Sequence, residues 1–208
     1  MQAQIRPAIL RLYFGVVMNI TSGTAGSLLG AYQQLAFYRH KVFVENLGWD
    51  LHSPGGLEQD QFDRPDTVYV AARDDGGEIC GCARLLPSTR PYLLSEVFPQ
   101  LLNGAAPPSS PDVWELSRFA TIDFNSPNQS PLRQMSSDIT LDLLYAVVDC
   151  ASKHGARRLI TVTTLGVERL MRNTGLKTHR AGPPMKIDGH LIIASWIEVS
   201  NSASSLPM

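Results

Sequence analysis

Six charged side chains in this 208-residue chain sit among apolar neighbours, and any chemistry it performs should start there. Arg39 stands in AFYRHKVF, Asp60 and Asp63 in EQDQFD, Arg84 in CGCARLL, and Glu115 and Arg118 in VWELSRF. An isolated charge in a low-dielectric interior costs several kcal/mol, so buried groups of this kind must pair with one another or meet a charged ligand. Glu58, Asp60 and Asp63 fall within six residues, and carboxylates that close need a cation among them. The cation is a metal, the chain's own arginines, or a positively charged substrate. Metal fits worst: calcium and magnesium want more oxygen ligands, and no D-x-[DN]-x-[DN]-G loop occurs. Cys80, Cys82 and Cys150 complete no zinc set with the histidines, so no metal is expected. Taken one at a time, the six also have plain structural readings, as solvated loop acids, a strand-end arginine or a Glu115–Arg118 salt bridge.

The elements that must hold these groups are legible as patterns. Residues 27–48 place Leu28, Tyr32, Leu35 and Val42 near helical spacing, with Ser27 to cap the start and Gly48 to end it. Residues 49–66, rich in Gly, Pro and Asp, form a long loop of the sort that often carries function. TVYVAAR and EICGCARLLP flank DDGG as a hairpin, and YLLSEVFPQLL is a short helix. VWELSRFA is a third strand. A longer helix spans about Met135 to His154, with Ile139, Leu143, Leu144, Val147, Val148 and Ala151 on one stripe and Gly155 beyond. RRLITVTT, GVERLMRNTG and GHLIIASWIEV then read as strand, helix and strand. Strands followed by a βαβ order imply a mixed central sheet flanked by helices, in the α/β to α+β range.

Strand parity adds a constraint. Residues three apart in a regular strand face opposite sides, so Glu115 and Arg118 can serve one site only if the strand bulges, twists or ends there. By the same count Cys80 and Cys82 share a face but are poorly placed to bridge, and we expect buried, reduced thiols in a cytoplasmic protein.

Composition bounds the rest. The chain is 44% hydrophobic with a net charge of −1, as expected for one soluble globular domain. Nothing approaches the roughly 18 uninterrupted apolar residues of a membrane span. RPAILRLYFGVV only weakly imitates a signal peptide, because Arg11 interrupts it. Residues 1–17 are expected to be an extension, with a single domain over 18–208. Charge is uneven along the chain: residues 1–150 hold ten Lys and Arg against sixteen Asp and Glu, whereas 151–190 hold eight against two. The later segment is either a solvated basic face or a surface for an acidic partner. Nucleic acid is not expected there, since aromatics do not interleave with the cations.

YRHKVFVENLGWD, DQFD, CGCARLLPSTRPYLL and VWELSRFA, in this order and spacing, resemble the LuxI-type acyl-homoserine lactone synthases, the autoinducer synthases of bacterial quorum sensing. The resemblance runs from about residue 27 to 198, with signature matches at Arg39, Phe43, Trp49, Asp60, Asp63, Arg84, Glu115 and Arg118. It implies an acyltransferase-like fold similar to the N-acetyltransferases (GNAT-like). It also implies a reaction between S-adenosylmethionine, a substrate rather than a cofactor, and a fatty acyl thioester, usually on acyl carrier protein. The amine is acylated, then the carboxylate closes the lactone and expels methylthioadenosine. No other cofactor is implied.

For single residues the resemblance implies the following. Asp60 and Asp63 order the N-terminal part and its cationic substrate, while Arg39, Arg84 and Arg118 supply ion pairs and a carboxylate clamp. Phe43 and Trp49 wall the pocket, with Trp49 facing a cation. Glu115 is the preferred general base and Asp60 its rival, and which aspartate touches the substrate stays open. Glu58 matches no signature position and is expected to face solvent. Thr161 stands where a hydroxyl, in some relatives, favours acyl groups oxidised at the third carbon, although a strand threonine also reflects β-propensity. The basic segment 151–190 is the expected docking face for the acidic carrier protein.

Two other readings compete. A GNAT N-acyltransferase using acyl-CoA should carry a Gly-rich phosphate loop before the long helix, and NSPNQSPLRQMSS has no glycine. A non-catalytic module binding S-adenosylmethionine or the carrier protein is the second.

Overall fold

The computed structural model describes residues 9–13, 16–28, 30–125 and 138–199. The chain divides into two compact units, residues 1–84 with 118–146, and residues 85–117 with 147–208.

In the first unit, strands β1 (Ile9–Tyr13) and β2 (Val16–Thr24) pair antiparallel, and β2 pairs antiparallel with β3 (Val68–Arg73). β4 (Ile79–Pro87, of which residues 79–84 lie here) follows β3 across a turn closed by Asp74 and Glu78. Gly77 in that turn takes a left-handed φ of 83°, which glycine adopts at no steric cost. β3 is buried along all but its last residue, as expected of a strand covered on both faces. Helix α1 (Ala31–Arg39) runs directly into a π-helical segment, His40–Asn46. Leu35, Tyr38, Val42 and Phe43 from this run pack on Tyr69, Ala71, Ile79 and Cys82 to form the core.

The expected helix over 27–48 is therefore shorter at its start and changes pitch within. Ser27 belongs to a turn, its Oγ donating to the Thr24 carbonyl, and Gly30 at φ 36° separates that turn from α1. The close at Gly48, with φ 69°, matches the expectation. The wider π-helical pitch is a local feature that helical spacing alone does not reveal.

In the second unit, β5 (Val113–Ala120, of which residues 113–117 lie here) pairs parallel with β6 (Arg158–Thr164). β6 pairs antiparallel with β9 (His190–Glu198), and the other edge of β9 carries β7 (Thr178–Arg180) and β8 (Met185–Ile187). Helix α2 (Leu93–Val97) precedes β5, α3 (Asp138–Lys153, of which residues 147–153 lie here) leads to β6, and α4 (Leu165–Asn173) follows β6. One parallel pair among antiparallel ones makes the sheet mixed, and the α/β expectation holds. β7 and β8 escaped the sequence pattern because three polar or Pro-flanked residues become a strand only through pairing.

The helix expected over 135–154 is seen from Asp138, and residues 126–137, with most of the glycine-free loop, lie outside the described residues. All three cysteines are reduced and buried, and burial pushes the thiols of Cys80 and Cys82 up to about 12. No helix among the described residues is long and apolar enough to cross a membrane.

Candidate active site

The charged cluster belongs to the first unit. Arg39 ends α1 with its guanidinium fully buried, where its donors must find acceptors. Its Nε donates to Glu58, while Nη1 and Nη2 donate to the two oxygens of Asp63 at 2.8 and 3.0 Å. The latter is a fork-to-fork pair, the strongest geometry for these two groups. Arg84, buried on β4, donates through Nη1 to Asp60 Oδ1 at 2.6 Å and Asp63 Oδ1 at 3.2 Å. Arg118, on the last part of β5, donates through Nη2 to Glu58 Oε1 and to Asp60 Oδ2, both at 2.9 Å. Three guanidiniums and three carboxylates thus neutralise one another.

Glu58 is the third acid, and this corrects the expectation that it faces solvent: its relative exposure is 0%, and it bridges Arg39 and Arg118. Its backbone N–H also donates to the Ala36 carbonyl, tying the loop to α1. The loop then closes on itself. The Asp60 N–H donates to Asp63 Oδ2, the Phe62 N–H to Asp60 Oδ1, and the Thr67 hydroxyl to the Phe62 carbonyl.

The two aspartates differ in what remains free. Asp63 accepts from five donors, Arg39 twice, Arg84, the Asp60 amide and the Tyr69 hydroxyl, and its side chain is 2% exposed. Asp60 accepts two bonds on Oδ1 and one, from Arg118, on Oδ2, and its side chain is 16% exposed. A carboxylate offers about four lone-pair sites, so Asp60 can take a further donor and Asp63 is saturated. Burial raises the Asp63 carboxyl, but the hydrogen bonds and charge of Arg39, then the charge of Arg84, outweigh it and hold the group well below the usual range. Burial likewise disfavours the charge on Arg39, yet Asp63 and Glu58 overcome it and raise its pKa.

Arg118 sits at φ 51°, a left-handed conformation that is uncommon for a non-glycine residue. The Cys82 thiol donates to the Arg118 carbonyl at 3.1 Å. The Arg118 guanidinium carbon lies 5.5 Å from the Phe43 ring and 5.9 Å from the Trp49 ring, and those rings stack at 4.9 Å. Both distances are within cation–π range. Trp49, 43% exposed, thus faces a cation of the protein itself.

Glu115 and Thr161 belong to the second unit. Glu115 is fully buried, and its two oxygens accept the N–H groups of Leu93 and Leu94 at 3.0 and 2.7 Å. A carboxylate there holds the first turn of α2. Thr161 is buried on β6, in register with Leu116 and Ser195. Sequence reasoning missed Glu58 and Tyr69. The available signals were a third acid in a loop already crowded with acids, and a tyrosine in an otherwise apolar strand, whose hydroxyl needs a partner once buried. Among the described residues, no group of three or more His, Cys, Asp or Glu is arranged to hold a metal.

A family model described as Autoinducer synthase matches residues 30–205. The chain belongs to the autoinducer synthase family. The acyl-homoserine-lactone synthase of Acinetobacter nosocomialis is 50% identical to this synthase over 183 residues, covering 88% of this chain and all of that one. Among solved structures, TofI in a ternary complex with an inhibitor and MTA has a TM-score of 0.74 at 48% identity, covering 86% of this synthase and 91% of TofI. BjaI, a CoA-dependent acyl-homoserine lactone synthase seen with SAM and isopentyl-CoA, has a TM-score of 0.76 at 26% identity, covering 87% and 83%. An N-acetyltransferase from Lactobacillus plantarum, at 16% identity and a TM-score of 0.55 over 88% of this chain and 99% of that one, shares the fold. The synthase is an acyltransferase with the GNAT-like fold the sequence suggested.

Proposed function

We propose that this synthase makes an acyl-homoserine lactone from S-adenosylmethionine and an acyl thioester, with the charged cluster of the first unit recognising the amino-acid end of S-adenosylmethionine. The observation that carries the assignment is the difference between the two aspartates. Asp60 has an acceptor to spare and takes the substrate ammonium, while Asp63 is framework. Arg118 Nη1 has no protein hydrogen bond among the described residues. It takes the substrate carboxylate, with Arg39 and Arg84 fixing the acids around it. Phe43 and Trp49 wall that end of the substrate.

In the first step the deprotonated amine attacks the thioester carbonyl carbon. The C–S bond breaks, and the thiolate leaves and takes up a proton. In the second, the carboxylate oxygen attacks the carbon next to the sulfonium, the C–S bond breaks, and methylthioadenosine leaves as a neutral thioether. We assign the amine proton to Glu115, the buried carboxylate of β5. Thr161 is assigned to the acyl chain, with a preference for an oxygenated third carbon. Acyl carrier protein is the proposed donor, in the cytoplasm. The support is charge: Arg157, Arg169 and Lys186 are exposed and form no ion pair among the described residues.

The test is incubation with S-adenosylmethionine and panels of acyl carrier proteins and acyl-CoAs, followed by mass spectrometry. Lactone and methylthioadenosine should appear together, fastest with an acyl carrier protein. Folded protein that yields neither with any donor would overturn the assignment, and a clear preference for acyl-CoA would overturn the carrier-protein part alone.

A further inference from the structure

The second unit holds a basic groove whose residues have no part in the steps assigned above. It has a volume of about 570 Å³ and is lined by Arg172, Leu176, Lys177, Thr178, His179 and Arg180, from the end of α4 through β7. Beneath it Glu168, 2% exposed, accepts from Arg180 Nε and Nη2, both at 2.7 Å, and from Arg172 Nη2 at 2.9 Å. One buried carboxylate therefore orients two guanidiniums and leaves part of each unused. Arg172 Nε and Nη1 and Arg180 Nη1 make no hydrogen bond among the described residues. Lys177 is exposed and has no ion pair among them. Three cations line the groove, with Glu168 paired to two of them and Glu198 3.9 Å from His179 Nδ1. His179, stacked against Trp196 at 6.3 Å, forms a further wall.

We propose that this groove binds a phosphate-bearing ligand, a phosphomonoester or diphosphate held between Arg172, Arg180 and Lys177. Guanidiniums held in place by a carboxylate suit an oxyanion better than mobile lysines would. The hydroxyl of Thr178 is a further donor of the right kind. The buried carboxylate has a structural role here: it removes one charge and restrains Arg180, which it holds through two hydrogen bonds, more than Arg172, which it holds through one. The required ligand chemistry is common to coenzyme A, to the pantetheine arm of a carrier protein, and to free nucleotides. The site stands whether or not the lactone chemistry does.

The experiment is isothermal titration of the full chain at low salt with sodium pyrophosphate, for wild type, Lys177→Glu and Arg172→Gln. Wild type should bind, and each variant should bind about tenfold more weakly with its thermal midpoint little changed. Competition by CoA and by ATP alike identifies any diphosphate as a ligand, whereas competition by CoA alone narrows the ligand to a diphosphate of the coenzyme A kind, and either supports the site. Absence of pyrophosphate binding at millimolar concentration overturns it, as does equal binding by Lys177→Glu. A carrier protein stripped of its pantetheine arm that binds through Lys177, without competition from pyrophosphate, would also overturn it and make the groove a protein-docking surface.

Discussion

Glu58 joins Arg39 to Arg118. One carboxylate at 0% exposure accepts from the end of helix α1 and from the left-handed residue of β5. Replacing it by glutamine leaves two buried guanidiniums short of an anion. Breaking a buried pair of this kind costs about 3–5 kcal/mol. Glu58→Gln should therefore lower the urea midpoint markedly, as measured by circular dichroism, and abolish lactone formation with it. A midpoint unchanged from wild type would show that the bridge contributes nothing.

The aspartates should separate in kinetics. Asp60→Asn removes the charge proposed to meet the substrate ammonium and should raise KM for S-adenosylmethionine about tenfold or more, with modest loss of stability. Asp63→Asn disturbs five hydrogen bonds and should act chiefly on stability. Steady-state rates and melting curves on both variants decide this, and the reverse pattern would exchange the two roles.

Asp63 also fixes the acid side of the stability profile. Its folded pKa is depressed, below the unfolded value of about 3.9. Its contribution is therefore full above the unfolded value and is lost as pH falls through the folded one. Urea midpoints measured downward from about pH 5 should fall steeply for wild type and less steeply for Asp63→Asn. Parallel curves would remove Asp63 from the acid limb.

Glu115→Gln has two consequences that must be read together. One of the Leu93 and Leu94 amides would face an NH2 group, a cost of about 1–3 kcal/mol. If Glu115 also takes the amine proton, turnover at a temperature where both proteins are folded should fall by about 100-fold or more. Turnover that merely tracks the folded fraction would confine Glu115 to holding α2.

Gly182 follows β7, and a Cβ placed there would lie 2.1 Å from the Leu101 carbonyl oxygen. Backbone cannot yield as a side-chain tip can, so Gly182→Ala should cost about 1–3 kcal/mol, in the range of core overpacking. At Gly81 the nearest atom is Leu143 Cδ2 at 3.1 Å, and alanine there should be milder. Thermal midpoints of the two variants give the comparison.

The sequence told most where pattern and charge agreed. Apolar runs bounded by turn residues placed β3, β4, β6 and β9. Arg39, Asp60, Asp63, Arg84 and Arg118 do converge. Pattern could not show which acid completes the set, because Glu58 and Glu115 differ only in where the fold buries them. Nor could it reveal β7, a strand made by its neighbour, or the saturation of Asp63, which depends on a tyrosine and an amide as much as on arginines.

The cluster's balance of three cations and three anions has a consequence for how ionic strength acts. A neutral array projects only a short-range field, so counterions have little to screen outside it. Added salt should leave recognition at Asp60 and Arg118 almost untouched while eroding whatever the basic groove of the second unit attracts. Two charged regions of one enzyme would then answer differently to the same electrolyte.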